Sequence, residues 1–377
     1  MKIHMENAFT TNIKVILQKH FGENGDFVFE NSQIIQYINT KTRSANKGSK
    51  ARSSYANLYA IYVILEDYFA KGYDKQSGYA KYEGAMFVSL FTRQRELPFG
   101  RKLQNHALNN RMNAEFQKYF PNSEFVPILR NLETNRYWFN ENLLKIKIDK
   151  ASFNIAQAVI EIIDEYVRAK QDAFQRFVKS CEELQKIDKT ASKEIEEFIL
   201  GLLAPNIDAR LFEIVSYSIL KYFYHNQQII WGFEVDKLNK ENLRLYKTGR
   251  TNANDGGIDF VMKPLGRFFQ VTETLDFKKY FLDIDKIQKY PITFVIKSHE
   301  STGNLLNKIR ENASRTYSIE AIVDKYMDCI EEVINIPTLT LRFTKAVQQG
   351  YLSKILEEII VQSKVEFSYS STFPNEG

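Results

Sequence analysis

The residues of this chain best suited to chemistry lie in one short stretch. It reads Asn254-Asp255-Gly256-Gly257-Ile258-Asp259-Phe260-Val261-Met262, then Lys263-Pro264-Leu265-Gly266, then Arg267-Phe268-Phe269-Gln270-Val271-Thr272-Glu273. Two β-prone runs flank a Pro/Gly turn, which is a hairpin signature. With residues 263–266 as the loop, Met262 pairs with Arg267, and Asp259 then stands directly across from Gln270. Directly opposed side chains share one face at about 5 Å. An acid and an amide carbonyl so placed can share a divalent cation. Magnesium fits, because it takes hard oxygen ligands, keeps several waters, and needs one or two carboxylates beside a substrate phosphate. Such an ion polarises a phosphodiester and lowers the pKa of an attacking water. Upstream, Glu213 interrupts the largely apolar helical run Leu211–Leu220. It offers either a third oxygen ligand or a charge favourable to a helix N-terminus.

Gly-Gly-Ile-Asp at 256–259, ten intervening residues, Gln270-Val271-Thr272 and the preceding Phe212-Glu213 together resemble the core of the PD-(D/E)XK nuclease superfamily. The resemblance covers roughly residues 205–300, about a quarter of the chain. It implies a metal-binding Asp on the second core strand, an acid-or-Gln, any residue, Lys signature on the third, and an assisting Glu on the first helix. Position by position, Asp259, Gln270 and Glu213 match as catalytic groups and metal ligands for Mg²⁺. Thr272 occupies the catalytic position where the family has Lys, so that charge has to come from elsewhere, with Lys278, Lys279 and Lys297 as candidates. Glu273 would serve only if a bulge turned it toward Asp259. A long partner region without a Gly-x-x-x-x-Gly-Lys-Ser/Thr pattern resembles a stand-alone type II restriction endonuclease. That resemblance implies a homodimer acting on double-stranded DNA with no nucleotide cofactor. Two alternatives stay open: a DNA-binding protein with a decayed nuclease core, which Thr272 favours, and a repair or junction-cleaving nuclease.

Sequence-specific cutting requires side chains that read base edges, Arg for guanine and Asn or Gln for adenine. The densest such array runs from Arg93 to Arg111, with four Arg, one Lys, three Asn and two Gln against one Glu. Arg93, Arg95, Arg101, Lys102, Gln104, Asn105, Asn109 and Arg111 are therefore the candidate DNA contacts, or else a solvated polar segment. His106 reads as structural, since no second His or Cys stands at ligand spacing. The 41–54 segment is basic and free of acids and large apolar residues. It is expected to be a mobile loop, either a plain linker or a phosphate-contacting arm carrying Lys47, Lys50 and Arg52. Arg250 and Lys247 lead into the hairpin and are placed to clamp a phosphate backbone or to balance nearby acids.

The elements that must position these groups follow from pattern and composition. With 377 residues, 44% hydrophobic and 26% charged, the chain has the makeup of a folded protein of two or three domains. The net charge of +5 is compatible with a nucleic-acid partner and does not require one. Cys181 and Cys329 are too few for a disulfide framework and read as reduced thiols. No run of eighteen apolar residues occurs, so a cytoplasmic protein with no membrane partner is expected. Short helices are expected before residue 40, a helix at Ser54–Lys71, and a long amphipathic helix over 152–186 suited to a spine between domains or a dimer contact. Strands are expected near 229–235, 258–262, 267–274, 292–297 and 338–343, with helices at 208–225, 304–314, 319–333 and 352–362 among them. The fold class expected is α/β (α+β). A mainly helical recognition and dimerisation region spans 1–190, and a nuclease-like domain with a mixed central sheet and flanking helices spans 191–377.

Overall fold

The computed structural model describes residues 6–43, 51–74, 83–101, 103–149, 151–186, 192–205, 207–248, 258–273, 275 and 277–367. The fold is mixed α/β, and the chain divides into two compact units, Met1–Arg176 and Phe177–Gly377. The division falls inside a helix, upstream of the Lys189–Lys193 stretch where the sequence suggested a boundary.

In the first unit, helices α1 (Thr10–Phe21), α2 (Gly25–Asn31), α3 (Gln33–Thr42), α4 (Ala51–Ala70), α5 (Phe87–Glu96) and α6 (Met112–Tyr119) precede the start of α7 (Ala156–Lys186). Two small antiparallel sheets accompany them. One is ordered β1 (Ala85–Met86), β3 (Arg136–Phe139), β2 (Ile128–Asn131); the other is the hairpin β4 (Lys145–Ile148) and β5 (Ala151–Asn154). The apolar stripe of α4 places Leu58, Ile61 and Leu65 in the core, as their three- and four-residue spacing requires. The stripe of α7 is covered in the same way, with Ile155, Val159, Ile162 and Tyr166 buried within this unit and Cys181 buried in the second. Both ends of that apolar face are thus packed inside the chain, while Ala173 between them is exposed.

The second unit contains α8 (Ser192–Gly201), α9 (Ala209–Tyr224), strands β6 (Gln228–Trp231), β7 (Asn239–Asn242), β8 (Arg244–Lys247), β9 (Phe260–Lys263) and β10 (Arg267–Thr272), then α10 (Phe277–Lys286) and β11 (Ile292–Ile296). It continues through α11 (Thr302–Ser314), α12 (Glu320–Met327), β12 (Ile330–Ile334), α13 (Ile336–Gln348) and α14 (Leu352–Phe367). Five strands form one sheet in the order β12-β11-β10-β9-β8. β10, β11 and β12 run parallel, while β8, β9 and β10 are antiparallel neighbours. Met262 pairs with Arg267 across the turn, where Gly266 takes a positive φ of 66° that other residues adopt at a cost.

Both faces of this sheet are covered, and for that reason every residue of β11 is buried. Phe260, Met262, Phe269 and Val295 pack with α9, α13 and α14, with Val271 at the margin of that layer. Phe294, Ile296 and Ile292 pack with α10, α11 and α12, and Phe268 lies against them. Two segments depart from the sequence pattern. Thr338–Phe343, expected as a strand, lies inside α13. Asn335 caps that helix by accepting the Thr338 N–H at 2.8 Å, Pro337 sits in its first turn, and Ile336, Leu339, Phe343 and Ala346 form its buried stripe. Conversely, the helix expected over 319–333 stops at Met327, because Ile330–Ile334 gains a parallel ladder with β11. Phe269 is wholly buried between sheet and α9. Phe269→Ala is expected to destabilise this unit by about 3–5 kcal/mol, read as a lowered urea midpoint.

Candidate active site

The carboxyl ends of β8, β10 and β11 and the amino end of β9 meet at one edge of the five-stranded sheet, because β8 and β10 are both antiparallel to β9. In open α/β sheets the crevice outside the carboxyl ends of the strands is where ligands bind. Lys247, Asp259, Thr272, Glu273 and Lys297 all terminate strands at this edge.

Asp259 and Gln270 are neighbours there, but not in a regular pair. The ladder of β9 with β10 is regular through Phe260 and Phe269. Beyond it, the Asp259 N–H donates to the Phe269 carbonyl at 3.1 Å, and Asp259 Oδ2 accepts the Val271 N–H at 2.8 Å. The carboxylate thus clamps the β10 backbone on either side of Gln270. Ile258 packs with the α10 layer and Phe260 with the α9 layer, so the strand changes face at Asp259 in the manner of a β-bulge.

Gln270 stands opposite Phe294 of β11, whose ring is 4.4 Å from that of Tyr280. It is 7% exposed, and its Oε1 is buried without a hydrogen-bond partner. An unsatisfied buried acceptor costs about 1–3 kcal/mol, a cost that a cation beside Asp259 would relieve. The donor set, one carboxylate and one amide oxygen, has the hard character that magnesium takes. Among the described residues no group of three or more His, Cys, Asp and Glu stands together as a metal site.

Thr272 lies two residues on and faces the same side. Its hydroxyl is 3.5 Å from Lys279 Nζ. Tyr280 also bonds it, and burial pushes that phenol well above its ordinary range while the Thr272 bond opposes the rise. Of the three candidate lysines, Lys279 is the one that arrives at the motif position. Lys278 is exposed on the same helix. Lys297 is almost fully buried and turned to the other face, 2.6 Å from Glu273 and donating to the Ile207 carbonyl. It ties β10, β11 and the start of α9 together.

Glu213 does not join Gln270 and Thr272. Successive strand residues point to opposite faces, and α9 packs on the face that carries Phe260 and Phe269. There the Glu213 carboxylate is buried between Arg210 at 2.8 Å and Lys247 at 3.4 Å. Arg210 reaches on to Glu366 at 3.8 Å. The expected third ligand is therefore, in this arrangement, a member of a buried ion-pair network across the sheet. Glu273 shares that face, as strand alternation requires.

The candidate DNA contacts separate in a similar way. Arg93 is paired with Glu66 through two bonds of 2.7 Å, its side chain remaining partly exposed. Arg95 is exposed and donates to the Arg101 carbonyl at 3.0 Å, and Arg101, Gln104 and Arg111 are exposed. Asn105 is half-buried, and Asn109 accepts the Tyr137 hydroxyl at 3.1 Å. Ala107–Arg111 forms a π-helical turn, a conformation frequent at functional sites. Arg130 of β2, which the sequence did not single out, is exposed and donates to the Asn109 carbonyl at 2.6 Å. Tyr280 was missed as well, because its spacing with Phe281 and Ile284 reads as ordinary helix core. Lys47, Lys50, Lys102 and Arg250 lie outside the described residues, as do Gly256 and Gly257. Arg52 falls in the first turn of α4, with its side chain likewise outside.

No family model, no curated protein and no solved structure matches this chain. Among the described residues no helix is long and apolar enough to cross a membrane. Replacing an unsatisfied amide by an apolar group of similar size removes a penalty. Gln270→Leu is accordingly expected to unfold at an equal or higher temperature than the parent protein, measured by calorimetry without divalent ions.

Proposed function

We propose that the chain is a Mg²⁺-dependent endonuclease of the PD-(D/E)XK type that hydrolyses phosphodiester bonds of double-stranded DNA in the cytoplasm, acting as a site-specific restriction enzyme. The observation that carries this reading is that, at the carboxyl end of β10, the Asp259 carboxylate accepts the Val271 N–H next to Gln270 with its orphaned oxygen, and Lys279 reaches Thr272 two residues on. Asp259 and Gln270 would hold the ion, and the chemistry it supplies when bound is polarisation of the scissile phosphate and activation of water. The Val271 N–H fixes the Asp259 carboxylate in place. Lys279, delivered from α10 to the Thr272 hydroxyl, supplies the charge that the motif lysine would otherwise provide to the developing phosphorane. Glu213 and Lys297 act at one remove, by holding α9 on the sheet that carries these groups. Arg95, Arg101, Gln104, Arg111 and Arg130 are exposed basic and amide groups of a kind suited to phosphate and base-edge contacts.

A second reading, a DNA-binding protein whose nuclease core has decayed, is favoured by the burial of Gln270 opposite Phe294. Plasmid DNA incubated with Mg²⁺ distinguishes the readings. Discrete fragments are expected for restriction, nicks confined to lesions or junctions for a repair enzyme, and binding without cleavage for a decayed core.

Asp259→Ala should abolish cutting while binding persists, and Lys279→Ala should slow cutting by roughly 10²-fold. Full activity in Asp259→Ala would overturn the site. In fluorescence-anisotropy titrations, Arg101→Ala and Arg111→Ala should each weaken DNA binding and lower the slope of log K against log salt by about one.

A further inference from the structure

The two-stranded sheet of β6 and β7 stands at the amino end of β8, the edge of the unit away from Asp259, and its surface is unlike the rest. Ile230, Phe233, Val235 and Leu238 fall within nine residues and are 68%, 98%, 90% and 55% exposed. Contiguous apolar surface of this kind marks an interaction site, and a lone two-stranded ribbon is marginally stable in water.

The backbone carries the same message. The Leu243 N–H donates to the Gln227 carbonyl at 2.8 Å, which sets the phase of the ladder. Ile229 and Trp231 then exchange bonds with Glu241 and Asn239, while Gln228 and Ile230 turn their N–H and C=O groups outward. Among the described residues these outward groups have no backbone partner. An edge of this kind is a template for another strand, and proteins ordinarily block it with charge, lysine above all. β7 carries Lys240 and Glu241; β6, Gln-Ile-Ile-Trp, carries no charge.

We propose that β6 pairs antiparallel with β6 of a second copy of this chain, about a two-fold axis through Ile229. In that register Gln228 of one copy faces Ile230 of the other, twice over, and all the outward groups of both residues are satisfied. Ile229 meets its own counterpart, and no like charges are opposed, because the strand has none. The exposed Ile230 side chains are brought onto one face by the pairing. An isologous contact of this form closes on itself and yields a dimer rather than a filament.

The test is the mass of the full-length protein in solution by sedimentation velocity. Twice 44.1 kDa is expected for the parent chain and 44.1 kDa for Ile230→Lys, with the far-UV circular dichroism of both the same. As a second measurement, Ile229→Cys should form an intermolecular disulfide on mild oxidation. Opposed residues at a non-hydrogen-bonded position have Cα atoms about 4.5 Å apart, within disulfide range. A parent chain that stays single at tens of micromolar overturns the proposal and leaves the ribbon to a different protein. So does a dimer that persists in Ile230→Lys, or an Ile229→Cys protein that oxidises no faster into dimers than the parent. Cleavage of DNA by a monomer would leave the proposed function standing while removing this one.

Discussion

The parallel pairing of β10 with β11 governs everything at the candidate site. It places Phe269 and Val271 beside Thr293 and Val295 on one face, and Phe268, Gln270 and Thr272 beside Ile292, Phe294 and Ile296 on the other. Helices cover both layers, so neither strand can slip by one residue without moving a glutamine and a threonine into the core that holds α9. The apolar pairs set the register, and the polar residues follow. Gln270 is thus held at a buried position by the packing of residues that have no chemistry of their own.

Charge is distributed about that sheet in two distinct ways. On the α9 face, Arg210, Glu213, Lys247, Glu366, Glu273 and Lys297 compensate one another in buried or half-buried pairs. Removing one partner from such a set leaves an uncompensated charge and is strongly destabilising, so these residues fasten the first turn of α9 to the strand ends. On the α10 face the strand-end polar groups are an amide oxygen without a hydrogen-bond partner and a threonine hydroxyl approached by an ammonium group. The two faces differ at this sheet edge in the ion pairs that the α9 side carries.

The β6–β7 ribbon obeys a different constraint. The five-stranded sheet is covered on both faces, whereas the ribbon, among the described residues, has no strand on either outer edge and carries exposed side chains that water solvates poorly. Its location away from Asp259 would keep the proposed assembly and the proposed chemistry on separate surfaces of the same unit.

The sequence by itself determined what local physics decides. The Pro/Gly turn between two β-prone runs gave the pairing of Met262 with Arg267, the three- and four-residue spacings gave α4 and the body of α7, and the apolar run gave α9. Strand alternation and loop length put Asp259 directly across from Gln270; the irregularity at Asp259, whose N–H donates to the Phe269 carbonyl and whose carboxylate accepts the Val271 N–H, was not legible in them. Tertiary structure decided what depends on partners distant in sequence. Ile330–Ile334 became a strand because β11 offered a parallel ladder, and Thr338–Phe343 became a helix because Asn335 caps it and the sheet takes its stripe. Glu213 went to the opposite face because α9 packs against Phe260 and Phe269. Lys279 reached Thr272 from the following helix, across a connection whose length says nothing of where it leads. Spacing along a chain encodes which side chains share a face of one element; which face then meets which is settled only when the elements pack.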